Sequence, residues 1–133
     1  MSYDELFQAA LLPLGCPVSG QPAGGQHETY ITFNEVLGSF TGYASNEPHR
    51  LLHNVQVHIF TKRDDGTHRD LMGRAVRALR QAGVRVYSIS PDLYETETGY
   101  HHVAATCAWA EKTEQEENLW KGIFTASLTS TMR

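Results

Sequence analysis

Within His53–Phe60 polar and apolar residues alternate from Asn54 to Ile59, and Val55, Val57 and Ile59 fall on one side. Successive side chains of a strand point to opposite faces, so this run demands a sheet with one covered face. Tyr30–Val36 obeys the same period, with Ile31 and Phe33 inward. So does Tyr100–Trp109, with Val103, Ala105, Cys107 and Trp109 on one face. Val84–Ile89 is a further strand, with Pro91 near its end, where a proline costs least.

Two helices supply the cover. Leu71, Met72, Ala75, Val76, Leu79 and Ala82 form one stripe at helical spacing, with Arg69, Arg74, Arg77 and Arg80 mostly off it. Thr67 with Asp70 gives an N-cap signal, and Gly83 suits the left-handed position after a helix end. Tyr3, Leu6, Phe7, Ala10 and Leu11 make a second stripe. Ser2 and Glu5 have capping-box spacing before it, and Pro13 and Gly15 end it.

The order is then α-β-β-α-β-β. It predicts an α+β fold, a mainly antiparallel four-stranded sheet built from two hairpins, with the helices on one face. The first hairpin has a long tip, Gly38–Arg50, and the second turns through Asp92–Gly99. Gly15–Glu28, rich in glycine and proline, reads as a mobile connection. The 133 residues suit a single domain, placed at 1–110. A C-terminal tail, 111–133, follows. Leu119, Trp120, Ile123 and Phe124 there recur at helical spacing, as in a short helix that docks on the domain or on a neighbour.

The charge narrows the function. Eleven Lys and Arg stand against 15 Asp and Glu, a net −4, with a pI near 5.9. The acids gather in Asp92–Glu97 and Glu111–Glu117, so strong non-specific binding of nucleic acid is not expected. No apolar run is long enough to cross a bilayer, and no basic segment followed by an apolar stretch marks a signal peptide. A cytoplasmic chain with no membrane contact is expected. Cys16 and Cys107, far apart and outside any Cys-x-x-Cys pair, are expected to be free thiols.

Chemistry-bearing patterns are few. Of seven histidines, His53 and His58 have opposite parity on one strand, and adjacent His101 and His102 also split across the sheet. His58 and one of the pair could meet across strands, but no acid or cysteine joins them at a standard zinc spacing. No metal site and no cofactor are expected, and the histidines read as surface or hairpin-facing residues. Asp64-Asp65-Gly66 is a turn, too short for a calcium loop. There is no Gly-x-Ser-x-Gly elbow and no P-loop, and Cys107 reads as an inward, inert thiol. Asp92, Glu95 and Glu97 read as a solvated acidic hairpin. No catalytic residue is assigned, and the chain is expected not to be an enzyme.

The succession of elements carries a resemblance. A short helix leads to Pro17-Val18, then to Tyr30-Ile31-Thr32-Phe33 and Val55-Gln56-Val57-His58-Ile59-Phe60. A helix, a strand and the run Tyr94-Glu95-Thr96-Glu97-Thr98-Gly99-Tyr100-His101-His102 follow. Over about Met1–Trp109 this resembles the tail terminator (tail completion) proteins of long-tailed bacteriophages and prophages. The resemblance implies a virion structural protein at the head–tail junction, assembled in the host cytoplasm. It would form a hexameric ring that ends tail-tube growth and joins tail to head. Its partners would be other copies of itself, the tail tube protein and the head–tail connector protein, with DNA passing through the ring unbound.

Phe40, Tyr43, His49, Arg50 and Trp120 are then candidate contacts within the ring or to a partner. Asp92, Glu95 and Glu97, or acids of Gly38–Arg50 and the tail, would form an acidic lumen that repels phosphate. The segment beyond Trp109 departs from the family pattern. Alternatives are a connector stopper or tail tube subunit, a small metal-dependent enzyme, and a monomeric adaptor.

Overall fold

The two long strands of the first hairpin set the architecture. The computed structural model describes residues 1–20, 27–41 and 50–112. Helix α1 (Tyr3–Leu11) and a 3-10 turn (Leu12–Leu14) precede β1 (Val18–Ser19), β2 (Thr29–Thr41) and β3 (Arg50–Thr61). Then come α2 (Thr67–Gln81), β4 (Arg85–Ile89), β5 (Leu93–Glu95) and β6 (Tyr100–Lys112). The sheet runs β1-β2-β3-β6-β4, and β5 also pairs with β6. Because β3 occupies one side of β6, β4 and β5 lie end to end along the other. All pairs are antiparallel except β1–β2, which is parallel.

The fold is α+β, with a six-stranded, mostly antiparallel open sheet rather than the four strands expected. The added strands, β1 and β5, have two and three residues, too few to show a period. Part of Gly15–Glu28 is thus sheet edge and not a mobile connection: the Ile31 amide donates to the Pro17 carbonyl at 2.8 Å. The polar tip is also shorter than Gly38–Arg50, because the ladder continues through Ser39↔Leu52, Phe40↔Leu51 and Thr41↔Arg50. The extended ladder sets Phe40 across from Leu51, and such cross-strand apolar pairs stabilise a sheet. A bulge between Glu35 and Leu37 reverses the side-chain parity of β2.

Ile31, Phe33, Val55, Val57, Ile59, Val103, Ala105 and Cys107 form the covered face. Phe7 and Leu11 of α1, with Leu71, Met72, Ala75 and Leu79 of α2, close over it, so both helices lie on one face. Phe7 stacks on Phe33 with ring centroids 5.7 Å apart.

The caps decide where the helices begin and stop. The sequence signal placed Thr67 as N-cap of α2, but Thr67 is already helical and Gly66 stands before it at φ 85°. The Asp65 carboxylate takes the capping role, accepting the Thr67 amide at 3.1 Å and the Thr67 hydroxyl as well. At the other end the Gly83 amide donates to the Arg80 carbonyl at 3.1 Å, and the Val84 amide to the Leu79 carbonyl at 2.9 Å. That is a Schellman motif, with Gly83 at φ 88° and the buried Val84 against Leu79. On α1 the Ser2 hydroxyl donates to Asp4 and makes no capping bond, so the expected capping box does not form.

Candidate functional site

Half of the histidines among the described residues are inside, where a surface or hairpin-facing position was expected. His53, His68 and His101 are buried, and each is the focus of a polar cluster on the helix-covered side.

The densest cluster sits where α2 begins. His101 is the second residue of β6, on the same face as Val103 and Ala105, and pairs with Thr61 and Tyr94 across the ladders. Its Nδ1 lies 2.8 Å from Asp92 Oδ2 and its Nε2 2.8 Å from Asp64 Oδ1. Carboxylates accept and do not donate, so both ring nitrogens carry protons in this arrangement. The hydrogen bond to Asp92 raises the His101 pKa above its ordinary value, burial opposes this, and the bond to Asp64 adds to the rise. Asp64 comes from the turn after β3. Asp92 comes from the Ser90-Pro91-Asp92 bend, which Ser90 pins to β6: its amide donates to the Ala104 carbonyl at 2.8 Å, and its hydroxyl accepts the Ala104 amide at 2.9 Å.

His68 completes the group from the first turn of α2. Its Nε2 lies 3.3 Å from Asp92 Oδ2, and its ring stacks on His101 with centroids 4.7 Å apart. Its buried Nδ1 has no hydrogen-bond partner among the described residues. One donor atom from each of His68, Asp92 and His101 lies within 4.8 Å of the others, the spacing of a metal-ligand set. The cluster borders a cleft of about 400 Å³ between α2 and the β4–β5 bend, lined by His68, Arg69, Met72, Gly73, Ile89, Ser90, Pro91, Asp92 and Val103.

A second cluster lies farther along the same face. His53 Nδ1 contacts Glu35, and its Nε2 lies 2.6 Å from Glu111 Oε2. Tyr3 and Trp109 flank the ring at 4.9 and 6.0 Å between centroids. On the opposite face His58 and His102 do meet, Nδ1 to Nε2 at 2.9 Å, as strand parity allowed. Burial lowers the pKa of both rings; His102 lowers His58 further, while Glu95 works against the fall at His102. Asn34 Oδ1 accepts from His58 Nε2 at 3.0 Å, and the neutral His58 Nδ1 accepts from His102. Phe60 stacks on His102 at 4.2 Å and on Tyr30 at 4.8 Å, so this face carries an aromatic layer of its own.

The acids grouped as one hairpin part company. Asp92 turns to the helix side and engages two histidines. Glu95 accepts from the Thr98 hydroxyl at 2.9 Å and faces His102, and Glu97 is exposed in the turn. Of the candidate contact residues, Phe40 is exposed on β2 and Arg50 is exposed at the start of β3. Tyr43, His49 and Trp120 lie outside the described residues, as does the helical spacing in 113–133.

One signal for this group is present in the sequence but easily missed. His68 stands three and four residues before Leu71 and Met72, so it belongs to the buried stripe of α2. Cys107 faces the core as expected, and burial pushes its thiol pKa up to about 11. No helix among the described residues is long and apolar enough to cross a membrane.

No family model matches the chain. No curated protein matches it. Among solved structures the chain is similar to a protein chain in the virion of a native gene transfer agent particle. The TM-score is 0.44 at 11% identity, over 84% of this chain and 87% of that one. At that level the likeness bears on neither activity nor partners.

Proposed function

We propose that this chain is a non-enzymatic structural subunit of a phage-type virion, acting as a tail terminator at the head-proximal end of the tail tube. The observation that supports it most is the pair of unlike open edges of the sheet. Among the described residues, β2 beyond Thr32 has only β3 as a neighbour, and Val36, Leu37 and Phe40 are exposed along it. At the far edge β4 and β5 pair only with β6 among the described residues, and Tyr87, Ile89, Leu93 and Tyr94 are exposed there. Open edges with exposed apolar side chains are a liability in a monomer and a resource in an assembly. Two different edges on opposite sides of one subunit suit head-to-tail association, which closes into a ring when the rotation permits.

In this reading the ring is a hexamer that caps the tail tube and docks the head connector. Glu95 and Glu97 face a lumen through which DNA passes without adsorbing. Asp92 contributes less there, since two histidines already engage it.

Paired cysteines test the edge contact. Leu37→Cys and Ile89→Cys together, in a Cys16→Ser background, should give a ladder of disulfide-linked oligomers from assembled particles under oxidation. Each single variant should give no ladder. Equal cross-linking by a single variant would point to a two-fold contact and sink the head-to-tail arrangement.

A further inference from the structure

We propose that His68, Asp92 and His101 form a binding site for one divalent transition metal ion of the zinc type, with Asp64 orienting His101. The donors are two imidazole nitrogens and a carboxylate oxygen, a mixed set that suits zinc, cobalt or nickel better than magnesium or calcium. Tetrahedral zinc with bonds of roughly 2.05 Å places neighbouring ligand atoms about 3.3 Å apart. Asp92 Oδ2 already stands 3.3 Å from His68 Nε2 and 2.8 Å from His101 Nδ1. All three donors fall within 4.8 Å of one another, so closing the set requires ring rotations and no movement of the sheet.

The surroundings fit as well. A metal-bound histidine usually donates its second nitrogen to a carboxylate, which fixes ring and tautomer. His101 has that arrangement, with Nε2 2.8 Å from Asp64 Oδ1. The ion would take the place of the Nδ1 proton now shared with Asp92, and that proton would leave to solvent. His68 is buried, and its Nδ1 has no partner among the described residues, so no hydrogen bond on that nitrogen restrains the ring from turning. The stack of His68 on His101, nearly parallel at 2°, would have to open, because parallel planes cannot both direct lone pairs at one ion.

The three ligands come from α2, the β4–β5 bend and β6, and Asp64 from the β3–α2 turn. A bound ion would therefore tie four segments together, and its remaining coordination position would face the cleft beside Met72 and Pro91.

The test is titration of tag-free, metal-stripped protein with cobalt, followed by visible absorption, then displacement by zinc measured calorimetrically. One equivalent should give the intense absorption of tetrahedral cobalt. Asp92→Asn and His68→Gln should abolish it, and Asp64→Asn should weaken binding by about 10- to 100-fold. His58→Gln, on the opposite face, should bind as the wild type does. Circular dichroism of the metal-free variants checks that each is folded. Absence of saturable one-to-one binding would overturn the proposal, and so would folded Asp92→Asn binding as tightly as the wild type.

Discussion

Leu79→Ala probes the seam between α2 and the sheet. Leu79 is fully buried in the core that α2 shares with β3 and β6, and its carbonyl accepts the closing bond of the Schellman motif. Truncation removes three carbons from a site walled by strands that cannot collapse inward. The transfer and cavity terms for such a site together cost about 3 kcal/mol. A domain of this size holds roughly 5–15 kcal/mol in total, so the loss is a large share of it. At about 3–4 °C per kcal/mol, the melting temperature should fall by about 10 °C. In urea the midpoint should drop with the slope unchanged, since the surface exposed on unfolding is nearly the same. Leu12→Ala, at an exposed position after α1, is the control and should stay within about 0.5 kcal/mol. If Leu79→Ala cost under 1 kcal/mol in this assay, α2 would not be seated on the sheet as described.

Gly83→Ala forces an alanine to φ 88° and should cost about 1 kcal/mol by urea denaturation, with no change in helix content. The His58–His102 pair has both pKa values lowered in the fold. The unfolded chain therefore binds more protons just below the ordinary histidine range, and stability from this pair is lost as pH falls through that window. Wild-type protein should lose more stability between pH 7.5 and 5.5, taken as roughly one unit either side of the ordinary histidine pKa, than His58→Gln/His102→Gln. An equal loss in urea melts at the two pH values would contradict the assignment. With its thiol pKa near 11 and no exposure, Cys107 should react with a disulfide reagent only as the fold opens, well after half-buried Cys16.

The long elements were legible because their periods are long enough to read. Val55, Val57 and Ile59 announced the covered face, and the α2 stripe with Gly83 announced its cover. The short strands were not legible, since Val18–Ser19 and Leu93–Glu95 owe their state to neighbours in β2 and β6. Thr67 misled by one residue because Asp65, two positions back, outcompetes it as the cap. Parity allowed His58 to meet one of His101 and His102 and put those two on opposite faces; the partner is His102. It could not reveal the His68–Asp92–His101 group, whose members are 24 and 9 residues apart along the chain and meet only through the packing of α2 against β6 and the pinned Ser90 bend. Spacing rules for metal sites describe ligands on one local motif, and here the topology does the gathering.

The role proposed for this chain is a place at the end of a virion tail. Electron microscopy of the particles produced when the gene for this chain is deleted tests that role most directly. DNA-filled heads lying apart from headless tails, with tails of uneven or excess length, are expected. Intact virions with tails of normal length, produced in wild-type numbers, would contradict it.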